Sequence, residues 1–242
     1  MGMNPILKRT LTGMAVGAVV ICAALLASPA VIYAAVAVLA LLAGMEFFVL
    51  YETKARMGAA RDFPLAKRVA AYFLGWAVIS AGLLTLASIP VRYVNGHCGP
   101  FRLGNVMLLY VIAIVKFSDV GGFAFGLASA KLMKGGNHKL CPSISPAKSW
   151  EGLVGSVFAS CLVSCLFMGV TNFSAAKSLA CGVAAALVGT FGDLVESKFK
   201  RWVGVKDSST MKITNGMGGF LDMLDSLFFA PIVILALMWL EF

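Results

Sequence analysis

Ser197, Lys200, Arg201, Lys206 and Asp207, then Gly218-Gly219, then Asp222 and Asp225, gather cations, glycines and carboxylates into one short stretch of chain. Asp193 and Glu196 precede them three residues apart, as are Asp222 and Asp225, so on a helix each pair shares a face. Carboxylates on different helices can hold a divalent ion, and Mg²⁺ binds through one or two carboxylates plus substrate phosphates. Two such ions about 4 Å apart would clamp the attacking and leaving oxygens of a phosphoryl-type displacement. Ser197, Lys198, Lys200, Arg201 and Lys206 would supply donors and counter-charge to phosphates. Gly216, Gly218 and Gly219 would let backbone N–H groups come close to them. A basic loop laced with salt bridges, such as Glu196 with Lys200, would account for the cations but not for two aspartates opening an apolar segment.

The rest of the chain is built to hold such a cluster at a membrane. Of 242 residues, 60% are hydrophobic and only 13% charged, a balance that marks a polytopic membrane protein in which ionisable groups near the bilayer are costly and functional by default. A spanning helix needs about 20 apolar residues. Apolar runs at 11–27, 30–50, 69–90, 103–118, 152–170, 178–195 and 219–240 predict an all-α transmembrane bundle of seven spans, with Gly121–Ala130 as a short or re-entrant eighth element. The first run ends at Ser28-Pro29 like a signal peptide, but the next apolar run starts at once, which favours an uncleaved helical hairpin.

Lysine and arginine collect in the segments before the first span and after the second, fourth and sixth, placing the N-terminus in the cytoplasm and Phe242 outside. The net charge of +9 reflects that asymmetry and suits anionic lipid headgroups; no basic soluble domain exists to hold nucleic acid. Cys22, Cys161, Cys165 and Cys181 fall inside apolar runs, where cysteine behaves as a small hydrophobe. The chain is expected to form one integral membrane domain, with generic helices over 1–115 and the chemistry in 116–242. Glu46, the acidic exception in the first half, is expected to be an interfacial carboxylate near Lys54 or Arg56 rather than a catalytic group.

Two further polar segments fall on the same expected face. Asp119 closes the fourth span ahead of Gly121-Gly122, as a capped helix end would. Ser145-Pro146 opens as a helix entry with proline in its first turn. Either Lys148, Ser145 and Ser149 bind an anion at that helix N-terminus, or the segment is an ordinary membrane-helix entry with Trp150 at the interface. Three separate segments would thus converge on one membrane face.

These residues resemble those of the phosphatidate cytidylyltransferase (CDP-diacylglycerol synthase) family. Its C-terminal pattern reads S-x-x-K-R-x4-K-D, a loop, P-x-H-G-G or P-G-H-G-G, an apolar pair and D-R-x-D-S. Ser197, Lys200, Arg201, Lys206, Asp207, Gly218, Gly219, Asp222, Asp225 and Ser226 match it in order. Gly192-Asp193-Leu194-Val195-Glu196-Ser197 is similar to G-D-L-x-E-S, Ser145–Gly152 to S-P-K-K-T-W-E-G, and Asp119 with Gly121-Gly122-Phe123 to D-x-G-A-Y. The resemblance covers residues 116–230. Met217 stands where the pattern has His, Asn215 where it has Pro and Met223 where it has Arg; the intervening loop is about two residues longer, and the chain is short for the family.

The resemblance implies transfer of the cytidylyl group of CTP to phosphatidate, giving CDP-diacylglycerol and pyrophosphate with one or two Mg²⁺ ions. It implies Asp193, Asp222 and Asp225 as metal ligands, and these with Lys200 and Arg201 as the catalytic set. Lys148, Ser145, Ser149, Ser197, Lys206, Asp207, Gly218, Gly219 and Asp119 would bind substrate. The expected setting is the inner membrane of a bacterium with the site on the cytoplasmic side, and the partners are CTP, phosphatidate and membrane lipid, with a homodimer left open. A related CTP-dependent enzyme acting on another lipid, such as a polyprenol kinase or an archaeal-type lipid cytidylyltransferase, would share the site. A transporter would carry its ionisable groups near the bilayer midplane instead.

Overall fold

The computed structural model describes residues 17–56, 65–93, 95–205 and 219–240. In chain order these form α1 (Gly17–Leu26), α2 (Pro29–Arg56), α3 (Leu65–Arg92), a short β1–β2 hairpin (His97–Cys98, Phe101–Arg102) and α4 (Leu103–Leu132). A second hairpin, β3–β4 (Lys139–Cys141, Ser145–Ser149), leads into α5 (Trp150–Leu166), α6 (Met168–Thr171) and α7 (Ala175–Val203). The chain ends with α8 (Phe220–Leu224), a 3₁₀ turn (Asp225–Leu227) and α9 (Ala230–Trp239).

Five segments, Pro29–Thr53, Ala66–Arg92, Leu103–Leu132, Ala175–Val203 and Phe220–Trp239, are long and apolar enough to cross a membrane, so the chain is a multi-pass membrane protein. The shorter apolar helices α1 and α5 occupy the places of the expected first and fifth spans. Residues 11–16 of the first expected span lie outside the described residues.

Three expectations are corrected. The helix does not close at Asp119: α4 runs on through Gly121-Gly122 to Leu132, so there is no separate re-entrant element. The glycine pair is used for close packing instead. A Cβ at Gly121 would overlap the Gly155 carbonyl and the Ala159 methyl, and one at Gly122 the Ser156 hydroxyl. Small residues at such a crossing let two membrane helices approach backbone to backbone.

Ser145-Pro146 is not a helix entry but the start of strand β4, paired antiparallel with β3. The helix begins at Trp150, where Ser149 is the N-cap and its hydroxyl accepts the Gly152 N–H at 3.0 Å. Glu46, finally, is not at an interface. It is fully buried on the face of α2 that also carries Ala43 and Leu50.

The last apolar run is broken rather than continuous. Pro231 in the first turn of α9 has no N–H to give and disfavours a helical residue before it. The chain therefore turns through Asp225–Leu227 before α9 begins. At the far end, Lys177 Nζ donates to the Met238 and Leu240 carbonyls at 2.9 and 2.6 Å, and Arg92 lies 4.6 Å over the Trp239 ring, so α9 ends on two cations, as a helix C-terminus favours. No disulfide joins the described cysteines.

Candidate active site

The hairpin β3–β4, the second half of α4, the start of α5 and the middle of α7 enclose a cavity of about 290 Å³ lined by Asp119, Ser145, Lys148, Ser149, Thr190 and Asp193 among others. Its volume lies at the lower end of the ~300–1,000 Å³ usual for ligand pockets, enough for a phosphorylated head group. His138, at the base of the hairpin, makes an Nδ1 contact of 2.7 Å to Glu151 Oε1, and this hydrogen bond holds the Glu151 carboxyl down at about 2.

Lysine–carboxylate pairs stitch the segments together. Lys148 Nζ lies 2.5 Å from Asp193 Oδ2 and also donates to the Thr190 carbonyl at 3.1 Å, joining β4 to α7. Lys200 Nζ sits between Glu196 Oε2 on its own helix, at 2.6 Å, and Asp222 Oδ1 on α8, at 2.5 Å. Lys116 Nζ donates to Ser226 Oγ at 2.9 Å and to the Met223 carbonyl at 3.0 Å, and lies 3.4 Å from Asp119 Oδ2. Ser226 Oγ in turn donates to Asp119 Oδ2 at 3.2 Å. Of these ions Glu196 and Lys200 are the most enclosed, and ions so enclosed are tolerated only when paired.

Asp193, Glu196 and Asp225 each offer one carboxylate oxygen, and these oxygens lie within 4.8 Å of one another. The approach depends on Gly192: a Cβ there would fall 2.5 Å from the Asp225 carbonyl oxygen. The set is chemically suited to a hard divalent cation, since every donor is a carboxylate oxygen. Glu196 is only 4% exposed and its Oε1 has no hydrogen-bond partner, a buried acceptor that a cation would satisfy. The cluster can therefore bind a metal.

Of the residues named from sequence, Asp119, Ser145, Lys148, Ser149 and Asp193 line the cavity. Asp225 joins Asp193 in the acid trio, while Asp222 lies against Lys200 and accepts the Gly219 N–H at 3.4 Å. Arg201 Nε donates to the Ile144 carbonyl at 3.4 Å, between α7 and the hairpin turn. Ser197 is half-buried on α7. Lys206, Asp207 and Gly218, with Asn215, Gly216 and Met217, lie outside the described residues.

Glu196, which its spacing sets on one helix face with Asp193, joins the acid trio and also makes the expected pair with Lys200. Two site residues were not singled out from sequence. Lys116 had been counted with the basic residues that follow the fourth span, although its place three residues before Asp119 on a helix gave the pairing away. Thr190 enters through its backbone carbonyl, which no side-chain pattern can reveal. Where the family pattern has arginine, Met223 packs its side chain against the core, and the neighbouring cation is Lys116, bound to the Met223 carbonyl.

Residues 61–240 match the family model described as "Cytidylyltransferase family". The chain belongs to the cytidylyltransferase family. Among curated relatives, a phosphatidate cytidylyltransferase of Staphylococcus aureus (strain COL) is 43% identical over 124 residues, covering 50% of this chain and 45% of that protein. A phosphatidate cytidylyltransferase of Haemophilus influenzae is 37% identical over 130 residues, 51% of this chain and 42% of that protein. The uncharacterised protein YnbB of Escherichia coli K12 is 32% identical over 170 residues, 68% of this chain and 52% of that protein. The chain spans about half the length of these relatives.

Proposed function

We propose that the protein transfers the cytidylyl group of CTP to phosphatidate, forming CDP-diacylglycerol and releasing pyrophosphate at the cytoplasmic face of a bacterial inner membrane. The observation that carries this reading is the junction of cavity and acid trio: Lys148 and Asp193 line the cavity as an ion pair, and Asp193 shares the trio with Glu196 of α7 and Asp225 of the turn after α8. Membership of the cytidylyltransferase family and relatives named phosphatidate cytidylyltransferase support it.

A phosphate oxygen of phosphatidate attacks the α-phosphorus of CTP; the new P–O bond forms as the bond to the β-phosphate oxygen breaks, and pyrophosphate leaves with that electron pair. The attacking oxygen is already anionic, so no strong general base is required, and positioning and charge neutralisation carry the rate. Asp193, Glu196 and Asp225 would hold Mg²⁺, which when bound neutralises phosphate charge and polarises the P–O bonds. Lys148 and Arg201 bind phosphate oxygens at the hairpin side, and Lys200 does so beside Asp222. Ser149 fixes the start of α5 so that the hairpin keeps its place over the cavity. Exposed apolar residues of α5 such as Val154 and Phe158 offer the acyl chains a surface beside the opening.

Thin-layer analysis of products from CTP labelled at the α-phosphorus tests the reaction type. The label should move to a lipid product when phosphatidate is supplied. Label recovered as free CDP would identify a lipid kinase instead.

A further inference from the structure

Glu46 belongs to α2, in the half of the chain whose sequence is otherwise generic, yet it is 0% exposed and its Oε2 accepts the Leu221 N–H at 2.9 Å. Leu221 is the second residue of α8, immediately before Asp222. With five residues, α8 is too short to be stable alone. It begins after Gly219, which has no side chain to cap it, and the Asp222 carboxylate reaches back to the Gly219 N–H only at 3.4 Å. The first N–H groups of any helix need acceptors from elsewhere. Here a distant helix supplies one. Next to Glu46, Phe47 stacks on Phe199 with ring centroids 4.7 Å apart, so one turn of α2 braces both α8 and the end of α7 that carries Lys200.

We propose that Glu46 is a positioning residue for the reaction. Its carboxylate pins the Leu221 amide and thereby sets where α8 and the following turn present Asp222 to Lys200 and Asp225 to Asp193 and Glu196. Burying a carboxylate inside an apolar helix is costly, and a residue needed only for packing would serve better as leucine or methionine. The hydrogen bond to a backbone amide beside the site is what an apolar side chain cannot supply. The activity arm of the test rests on the reaction proposed above; the exchange arm does not.

The test compares Glu46→Met, which keeps volume but not the acceptor, with Glu46→Gln, which keeps an acceptor oxygen, in full-length purified protein. Hydrogen–deuterium exchange of peptides covering 219–229 should be faster in Glu46→Met and close to the parent in Glu46→Gln. Turnover of CTP with phosphatidate should fall about tenfold in Glu46→Met, the scale of one lost buried hydrogen bond, with a raised half-saturating Mg²⁺ concentration and an unchanged KM for phosphatidate. Glu46→Gln should restore all three. Parent-like exchange and Mg²⁺ dependence in Glu46→Met, or equal damage in Glu46→Gln, would overturn the assignment. Should Glu46→Met not survive solubilisation, Glu46→Asp replaces it, since its shortened carboxylate withdraws from Leu221 and must give the same fast exchange. A parent inactive with CTP and phosphatidate would count against the reaction, and exchange alone would then decide the role of Glu46.

Discussion

Lys148 Nζ and Asp193 Oδ2 lie 2.5 Å apart, and this contact closes the hairpin strand β4 onto the middle of α7. Asp193 serves two groups at once, the lysine and the acid trio with Glu196 and Asp225. A cation held by the trio would draw on the same carboxylate that holds Lys148, and would leave the ammonium available for a phosphate oxygen. The basic and acidic parts of the site are thus coupled through one side chain.

Lys148→Ala should lower kcat/KM by about tenfold to a hundredfold, the range for a lost charge-assisted contact. Lys131→Ala and Lys134→Ala, whose residues are exposed on the surface, should stay near the parent value. Steady-state kinetics on the three variants checks this; equal small effects would reduce Lys148 to a solvated surface charge.

Asp193→Asn and Asp225→Asn should each abolish turnover and remove the stabilisation that Mg²⁺ gives in a thermal melt, because each deletes a charge from the trio. Asp222→Asn should lose activity while keeping more of the Mg²⁺-induced shift, since Asp222 is paired with Lys200. Melts with and without Mg²⁺ separate the two patterns.

Gly192→Ala should inactivate the protein although it adds a single methyl group. That methyl would meet the Asp225 carbonyl and push the turn away from Asp193. Ala at Gly169, where a Cβ meets nothing, is the control and should leave activity unchanged.

The helices were legible because lipid imposes a simple rule: five of the seven expected apolar runs fall on segments long and apolar enough to span, while those at 11–27 and 152–170 fall on the shorter helices α1 and α5. Their ends were less so. The helix of α7 continues through Lys198-Phe199-Lys200-Arg201 because backbone bonding does not stop where hydropathy does. In α4 the glycine pair looked like punctuation, but its meaning depended on α5, which no local pattern names. The hairpin was missed because strands of three and five residues carry almost no alternation. For the site, residue types and spacing identified the acids and lysines, while their pairing was set by tertiary approach. Glu46 illustrates the limit: its partner is a backbone amide far along the chain, which leaves no trace in sequence.

The pH–rate profile should show no inflection in the histidine range. Neither described histidine lines the cavity: His138 is at the hairpin base against Glu151, and His97 is in β1, beyond the N-terminal end of α4. An inflection that vanishes in His138→Gln would mean that the hairpin brings a proton-transfer group to the substrate.

Pyrophosphate release from CTP by the purified protein, measured with and without phosphatidate in Mg²⁺, tests the central claim most directly. The account predicts release only when phosphatidate is present, in a one-to-one ratio with CDP-diacylglycerol, and none from Asp193→Asn. Release without phosphatidate, or full release by Asp193→Asn, would contradict it.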